Sequence, residues 1–325
     1  MFNIFSFIKS WFVKIEDREN GLIKSPDDFR DVKAKDLLGA IELTPLPETY
    51  RIPYSLPTKN QENTPECVGW SCASIKDEKE RREQNETDAN GSFIYKEAKK
   101  IDGIPNIKGT YFRIGLQVMK TIGVQMLPTS KIQGLPAIFK IGWYIRVDCD
   151  IESLKRAIYQ WGAVLIGFHV YPDSWNSAYI KKGTIVVGGH ATIAVGWNKD
   201  YIIGQNSYGE NWGDKGYFYF NENYLPFESW AVVSDIPTNL LPNPSDKPKH
   251  TFKKDLFVTL RDPEVKILDE CLQWLGCEPK DTESNDYFGK PTQEAVKVFQ
   301  KRYNINGTGR CGPLTRMFLN NLFSS

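Results

Sequence analysis

The chain is poor in the residues that build metal sites and disulfide frameworks. Histidine occurs three times in 325 residues (His169, His190, His250), and the six cysteines, at 67, 72, 149, 271, 277 and 311, form no Cys-x-x-Cys pair. A zinc site would need ligands gathered from unrelated stretches, so no metal and no cofactor are expected, and cysteine is too sparse to staple the fold. Charge of one sign is lacking too. Lys and Arg number 41 against 40 Asp and Glu, a net charge of +1, which gives no field to hold a polyanion and excludes nucleic acid as the main partner. The most membrane-like uncharged stretch, residues 157–172, contains Gln160 and His169 and falls short of the ~20 apolar residues of a spanning helix. What remains is a composition of 41% hydrophobic, 25% charged and 13% aromatic residues, that of a folded protein. At roughly 150 residues per domain, this length favours two domains.

Within residues 1–45, Ile4, Phe5, Ile8, Trp11, Phe12 and Ile15 recur at helical spacing, and an extended, charged leader follows. The weakly basic polar face favours packing of this helix on protein over contact with a membrane surface. No basic residue precedes the apolar run and no small-residue cleavage site follows it, so it does not read as a signal peptide. The compartment stays open on these grounds.

Residues 46–235 read as a mixed domain of α+β class, with a helix starting near Cys67 and strands later. The charged far end of that helix, with Asp77 and Arg81 four residues apart, reads as a solvated face. Strand patterns cover 163–170, 184–187, 190–197, 201–207 and 216–220. Prolines 237, 242, 244 and 248 mark a linker over 236–255. A small helical domain, 256–325, follows, with Leu268, Leu272 and Leu275 on one helix and Ala295, Val296 and Phe299 on the next.

One group of residues asks for chemistry. Cys67 stands after a Thr-Pro-Glu turn at a helix start, where free N–H groups and the helix dipole favour a thiolate nucleophile. His190 opens an apolar strand behind two glycines, which leave room for a base. Asn206, sixteen residues on, can accept the imidazole's other N–H and fix its tautomer, and Trp212 can keep water from that bond. Gln61, six residues before Cys67, offers an amide N–H that would join the Cys67 backbone N–H in an oxyanion hole. Each residue type also has a bland use: a lone cysteine is usually a small buried hydrophobe, and a strand histidine a core residue.

In these motifs the sequence resembles the papain family of cysteine peptidases. The order of Gln61, Cys67, Gly189-His190 and the run Asn206-Ser207-Tyr208-Gly209, Trp212-Gly213, Gly216-Tyr217 is similar to the family's. The resemblance covers residues 46–235 and implies a helical lobe and a β-rich lobe, with Cys67 and His190 on opposite walls of a cleft and Cys67, His190, Asn206 and Gln61 catalytic. Departures are Glu62, Asn63, Thr64, Pro65 and Glu66 before the nucleophile and Val68 after it. The short leader also lacks the long helical pro-segment of many relatives, so no self-inhibitory device is expected.

The C-terminal domain resembles the three-helix peptidoglycan-binding module of wall hydrolases, through Asp286, Phe288, Gly289 and Thr292, then Phe299 and Gln300, then Thr315 and Leu319. Together the two resemblances imply a cysteine endopeptidase carried to a bacterial cell wall, phage-encoded enzymes included. The partners would be a peptide or protein substrate and peptidoglycan. Two alternatives stand beside this: a papain-like protease acting on a virion or host protein, and an inactive wall-binding or particle-structural protein. The Gly-x-Gly-x-x-Gly at 307–312 is no dinucleotide fingerprint, because too little chain follows it for the rest of a βαβ unit.

Overall fold

A computed structural model describes residues 19–29, 31–35, 45–136, 139–234, 247–279, 282–302 and 305–323. The helix expected over 1–15 and most of the proline-rich linker lie outside the described residues. Two compact units separate by their contacts: Met1–Ala34 with Pro45–Val233, and Lys35–Thr44 with Ser234–Ser325.

The first unit is built around helix α1 (Cys67–Arg82), which starts directly after Pro65 and Glu66. Proline has no backbone N–H to donate to a preceding turn, so the turn before Cys67 is a natural start. Helices α2 (Gly91–Lys99), α3 (Phe112–Thr121) and α4 (Ile151–Trp161) complete the helical part. Asn90 and Asp150 cap α2 and α4 by accepting from the N–H groups of Phe93 and Ser153. Gly69 lets α1 and α2 approach closely, since a Cβ there would lie 2.2 Å from the Gly91 carbonyl oxygen.

Strands β1 (Leu22–Ile23) and β3 (Thr110–Tyr111) pair in parallel as a small separate sheet. The main sheet runs β4 (Trp143–Val147), β9 (Glu228–Ser234), β5 (Val164–Val170), β6 (Gly188–Trp197), β7 (Ile202–Gln205), β8 (Tyr217–Phe220), with β2 (Tyr50–Arg51) also on β6. The pairs β5–β6, β5–β9, β6–β7 and β7–β8 are antiparallel, and β5 is set against β6 in the register Phe168↔His190. Helices followed by a mostly antiparallel sheet give the expected α+β class. Residues 184–187 are not a strand. Ile185 is 70% exposed there, so apolar residues are no guide to pairing where no second layer covers them.

The charged end of α1 departs further from expectation. Lys76, Asp77, Glu78, Lys79 and Glu80 are all buried rather than solvated. They are held by ion pairs: Lys59 with Asp77 at 2.6 Å and with Asp88 at 2.5 Å, Lys76 with Glu80 at 2.7 Å, and Arg82 with Glu78 at 2.6 Å. The spacing that favours i,i+4 pairs on a surface works equally well under a covering layer.

The second unit has three helices, α5 (Pro263–Trp274), α6 (Lys290–Arg302) and α7 (Pro313–Phe323). Asp262 caps α5 and Pro263 fills its first turn. Leu268, Leu272, Phe288, Val296, Phe299 and Leu319 form its core. Gln300 is buried with its amide satisfied: its Nε2 lies within hydrogen-bond distance of the Thr308 and Thr315 hydroxyls and the Arg310 carbonyl, and its Oε1 accepts from Gly309 N–H. Residues 247–255, expected as linker, pack on this unit: Phe252 is buried and its N–H donates to Asn320. All six cysteines are free thiols.

Candidate active site

Cys67 is the first residue of α1 and is fully buried. Helix α1 packs against β6, the strand that holds His190. His190, also fully buried, makes a 2.8 Å hydrogen bond from Nε2 to Asn206 Oδ1. With Nε2 donating, Nδ1 carries the lone pair that can act as base in the neutral ring. Asn206 is held in turn, its N–H donating to the Gly216 carbonyl at 2.8 Å and its Oδ1 accepting from Ser207 N–H.

Two aromatic rings pack on the imidazole. Tyr208 stacks on it at 4.5 Å between centroids and Trp175 meets it edge-on at 5.5 Å. Trp212 stands one ring further out, packed on both and donating its indole N–H to the Trp175 carbonyl. Its shielding of the His190–Asn206 bond therefore runs through Trp175, which the sequence did not single out. The signal was faint, since a tryptophan in an irregular segment between strands carries no motif.

Gln61 is joined to this group by a second residue the sequence left without a role of its own. Ser207 Oγ donates to Gln61 Oε1 at 2.6 Å, and Gln61 N–H donates to the Ser207 carbonyl at 2.9 Å. Gln61 Nε2 donates one hydrogen to the Thr64 carbonyl at 2.7 Å, and an amide carries two. The amide is thus oriented from both ends. Residues 59–61 run antiparallel to 207–209, with Asn60 paired to Tyr208, and a positive φ of 55° at Glu62 turns the chain back toward Cys67. Glu66 does not perturb the sulfur: its carboxylate accepts from Trp70 Nε1 at 3.2 Å and from Ser92 Oγ.

The Cys67 thiol is not a resting thiolate. Burial pushes its pKa up to about 11, while N–H groups of Ala191, Gly21, Val68 and Cys67 itself pull the other way. Removal from water outweighs the helix start. Gly21 belongs to the leader and packs on the turn before the helix, where a Cβ on it would lie 1.9 Å from the Pro65 carbonyl oxygen. Among the described residues no group of three or more His, Cys, Asp or Glu gathers as metal ligands would.

Comparison with known proteins bears on this arrangement. Over 70% of this chain and 100% of the other, the fold superposes on xylellain, a cysteine protease from Xylella fastidiosa, with a TM-score of 0.57 and 22% identity. The first unit has a papain-like fold. Residues 123–230 match the model of the papain family cysteine protease, a stretch that takes in His190, Asn206 and Trp212 and leaves Gln61 and Cys67 outside it. Residues 261–319 of the second unit match the model of a peptidoglycan binding domain. An uncharacterized peptidase C1-like protein of Acanthamoeba polyphaga mimivirus is 32% identical over 113 residues, 30% of this chain and 36% of that protein. Cathepsin B-like cysteine proteinase 6 of Caenorhabditis elegans is 33% identical over 79 residues, 22% of this chain and 21% of that protein. The chain thus spans well under two thirds of the length of these relatives.

Proposed function

We propose that this papain-like domain is a cysteine endopeptidase and that the second unit carries it to peptidoglycan. The observation that carries the reading is the 2.8 Å bond from His190 Nε2 to Asn206 Oδ1, with helix α1, whose first residue is Cys67, packed on the strand that holds His190. That arrangement provides a nucleophile, a base and an orienting group in one place. His190 Nδ1 takes the thiol proton and the sulfur attacks the scissile carbonyl carbon. The Cys67 N–H and the free hydrogen of Gln61 Nε2 stabilise the oxyanion. His190 then protonates the leaving amine, and a water that it deprotonates hydrolyses the thioester.

The substrate would be a peptide or protein amide at a bacterial cell wall, with phage-encoded wall enzymes within that reading. Its support is the match of residues 261–319 to a peptidoglycan binding domain. The test uses a thiol-reactive peptidyl electrophile and quenched peptides, applied to the full-length chain. A single adduct on Cys67 is expected, together with hydrolysis that Cys67→Ala abolishes. Hydrolysis that persists in Cys67→Ala removes the assignment. Co-sedimentation with purified sacculi, lost when residues 261–319 are deleted, tests the wall-binding half; a chain that stays in the supernatant overturns it.

A further inference from the structure

One cation at the charged end of α1 is poorly matched, and it lines a cavity. Lys76, Lys79 and Arg82 each have a carboxylate within 3.2 Å. Arg81 Nη1 reaches Glu86 only at 3.8 Å, and Glu86 is half exposed and already held by Lys131 at 2.5 Å. Arg81 Nε is enclosed with no acceptor in hydrogen-bond reach. The cavity has a volume of about 750 Å³, within the range of small-molecule sites, and Ser55, Thr58, Arg81, Glu210, Lys215 and Tyr217 stand on its walls. It belongs to the first unit, and neither Cys67, His190, Asn206 nor Gln61 lines it.

Two further cations stand at this cavity without a carboxylate. Lys215 lines it, and the Arg51 guanidinium lies over the ring of Tyr217 at 4.3 Å from the centroid. Among the described residues neither Lys215 nor Arg51 forms a salt bridge. Asp214, the neighbour of Lys215 in the chain, gives its carboxylate to the Tyr219 hydroxyl at 2.6 Å instead. Glu210 is the one carboxylate on the cavity wall, and no salt bridge among the described residues holds it either. Arg51, Arg81 and Lys215 against Glu210 leave an excess of two positive charges around one opening.

The backbone that carries these groups is already fixed. In the turn 212–217, Gly216 N–H donates to the Trp212 carbonyl at 2.7 Å, and Asp214 and Tyr217 exchange hydrogen bonds at 2.9 and 3.0 Å. That turn holds Lys215 at a φ of 53°, a left-handed conformation that persists at a lysine only where the surroundings impose it. The opposite wall packs against the turn without a gap, since a Cβ on Gly216 would lie 2.5 Å from Thr58 Cγ2. Both walls continue the paired segments 59–61 and 207–209, where Gly209 N–H donates to the Lys59 carbonyl at 2.9 Å. A ligand would therefore meet a preorganised wall and lose little free energy in ordering it.

We propose that this cavity binds a phosphate monoester of a small polyol or sugar, with Arg81 and Lys215 holding the phosphoryl group and Arg51 adding charge from behind Tyr217. A neutral ligand would leave the excess charge uncompensated, and a carboxylate would match half of it. A phosphomonoester carries a charge of about −1.5 to −2 near neutral pH and three acceptor oxygens, which suits two cations and the hydroxyls of Ser55 and Thr58. The volume exceeds that of the phosphoryl group and leaves room for the alcohol it is joined to, whose hydroxyls Glu210 and Asn211 can bind. The site needs neither the peptidase reading nor the second unit.

The experiment is calorimetric titration of the full-length chain, at fixed ionic strength, with glycerol phosphate, inorganic phosphate, acetate and glycerol. Saturable one-to-one binding of glycerol phosphate is expected, tighter than that of inorganic phosphate, with acetate weaker still and glycerol silent. Arg81→Gln and Lys215→Gln should each weaken glycerol phosphate by about tenfold or more, the scale of one lost charge-assisted contact. Glu210→Gln should tighten inorganic phosphate, because it removes a like charge from the wall, and a bystander surface would not give these opposite signs. No saturable binding of either phosphate overturns the site. So do unchanged affinities in both cation variants when their circular dichroism and melting temperature match the parent's. Should Arg81→Gln not fold, Lys215→Gln decides, since Lys215 is exposed. Acetate binding as tightly as glycerol phosphate overturns the assignment to phosphate, and inorganic phosphate binding as tightly overturns the assignment to an ester.

Discussion

The two ends of α1 bury different kinds of polar group and reach opposite electrical states. At its start the Cys67 thiol is enclosed, and burial pushes its pKa up to about 11 against the pull of nearby N–H groups. At its far end Lys76, Asp77, Glu78, Lys79 and Glu80 are as deeply enclosed, yet they are organised as ion pairs at 2.6 to 3.2 Å with Lys59, each other and Arg82. The difference is the partner: a buried charge survives where a counter-charge replaces the water it lost, and burial favours the neutral form where none does. The segment 59–61 joins the two polar groups, because Lys59 sits in the ion-pair cluster and Gln61, two residues on, bonds to Ser207 next to Asn206.

Breaking that connection should have the largest effect. Lys59→Met leaves Asp77 enclosed without its cation, and removing one partner of a buried pair typically costs about 3–5 kcal/mol. Urea unfolding of the full-length chain should show a loss of that size in the first unit, with an activity loss among the molecules that remain folded. A loss below about 1 kcal/mol, the scale of an exposed pair, would mean that the cluster is wetter than its burial indicates.

The second largest effect belongs to the sulfur end. Gln61→Ala should lower kcat by about 10²-fold, the scale of one lost oxyanion donor. Ser207→Ala should cost less, because it frees the amide to rotate without removing it. If Ser207→Ala costs as much as Gln61→Ala, the amide's orientation is everything; if it costs nothing, the Thr64 contact alone holds it.

A smaller effect tests whether a partner-free carboxyl follows the thiol's rule. In the second unit, burial pushes Asp269 up to about 6, and burial with repulsion from Asp269 pushes Glu278 up to about 7. Among the described residues no Lys or Arg forms a salt bridge with either. A carboxyl whose folded pKa lies above its unfolded value of about 4.3 binds more protons in the folded state, so its unit loses stability as pH rises from about 4.3 through about 7. Hydrogen exchange of the α5 amides should therefore accelerate between pH 5 and pH 8 beyond its intrinsic increase. Glu278→Gln should flatten much of that slope. An identical slope in the variant would assign it to another group.

The sequence by itself determined the elements whose signals are local. The start of α1 follows from Pro65 ahead of Cys67; the run Asn206 to Tyr217 carries its pairing and turn residues within a dozen positions; the leucine spacing of α5 and the pattern around Phe299 mark the second unit's helices. The α+β class was legible because helix-period and strand-period patterns occupy different stretches. Strands β4 and β9 were not, since Trp143–Val147 and Glu228–Ser234 mix charged and apolar residues and take their place by pairing with distant partners. Only the tertiary structure decided what is buried and what is beside it. The i,i+4 charges of α1 read as a surface until other elements cover them. Ser207 and Trp175 gain their roles through contacts that span 146 residues in one case and cross between chain segments in the other. Glycines 109, 188 and 189 are the clearest instance: Cβ atoms there would strike Gly21, Asn20 and Leu22, a fit between distant segments that composition and spacing do not encode.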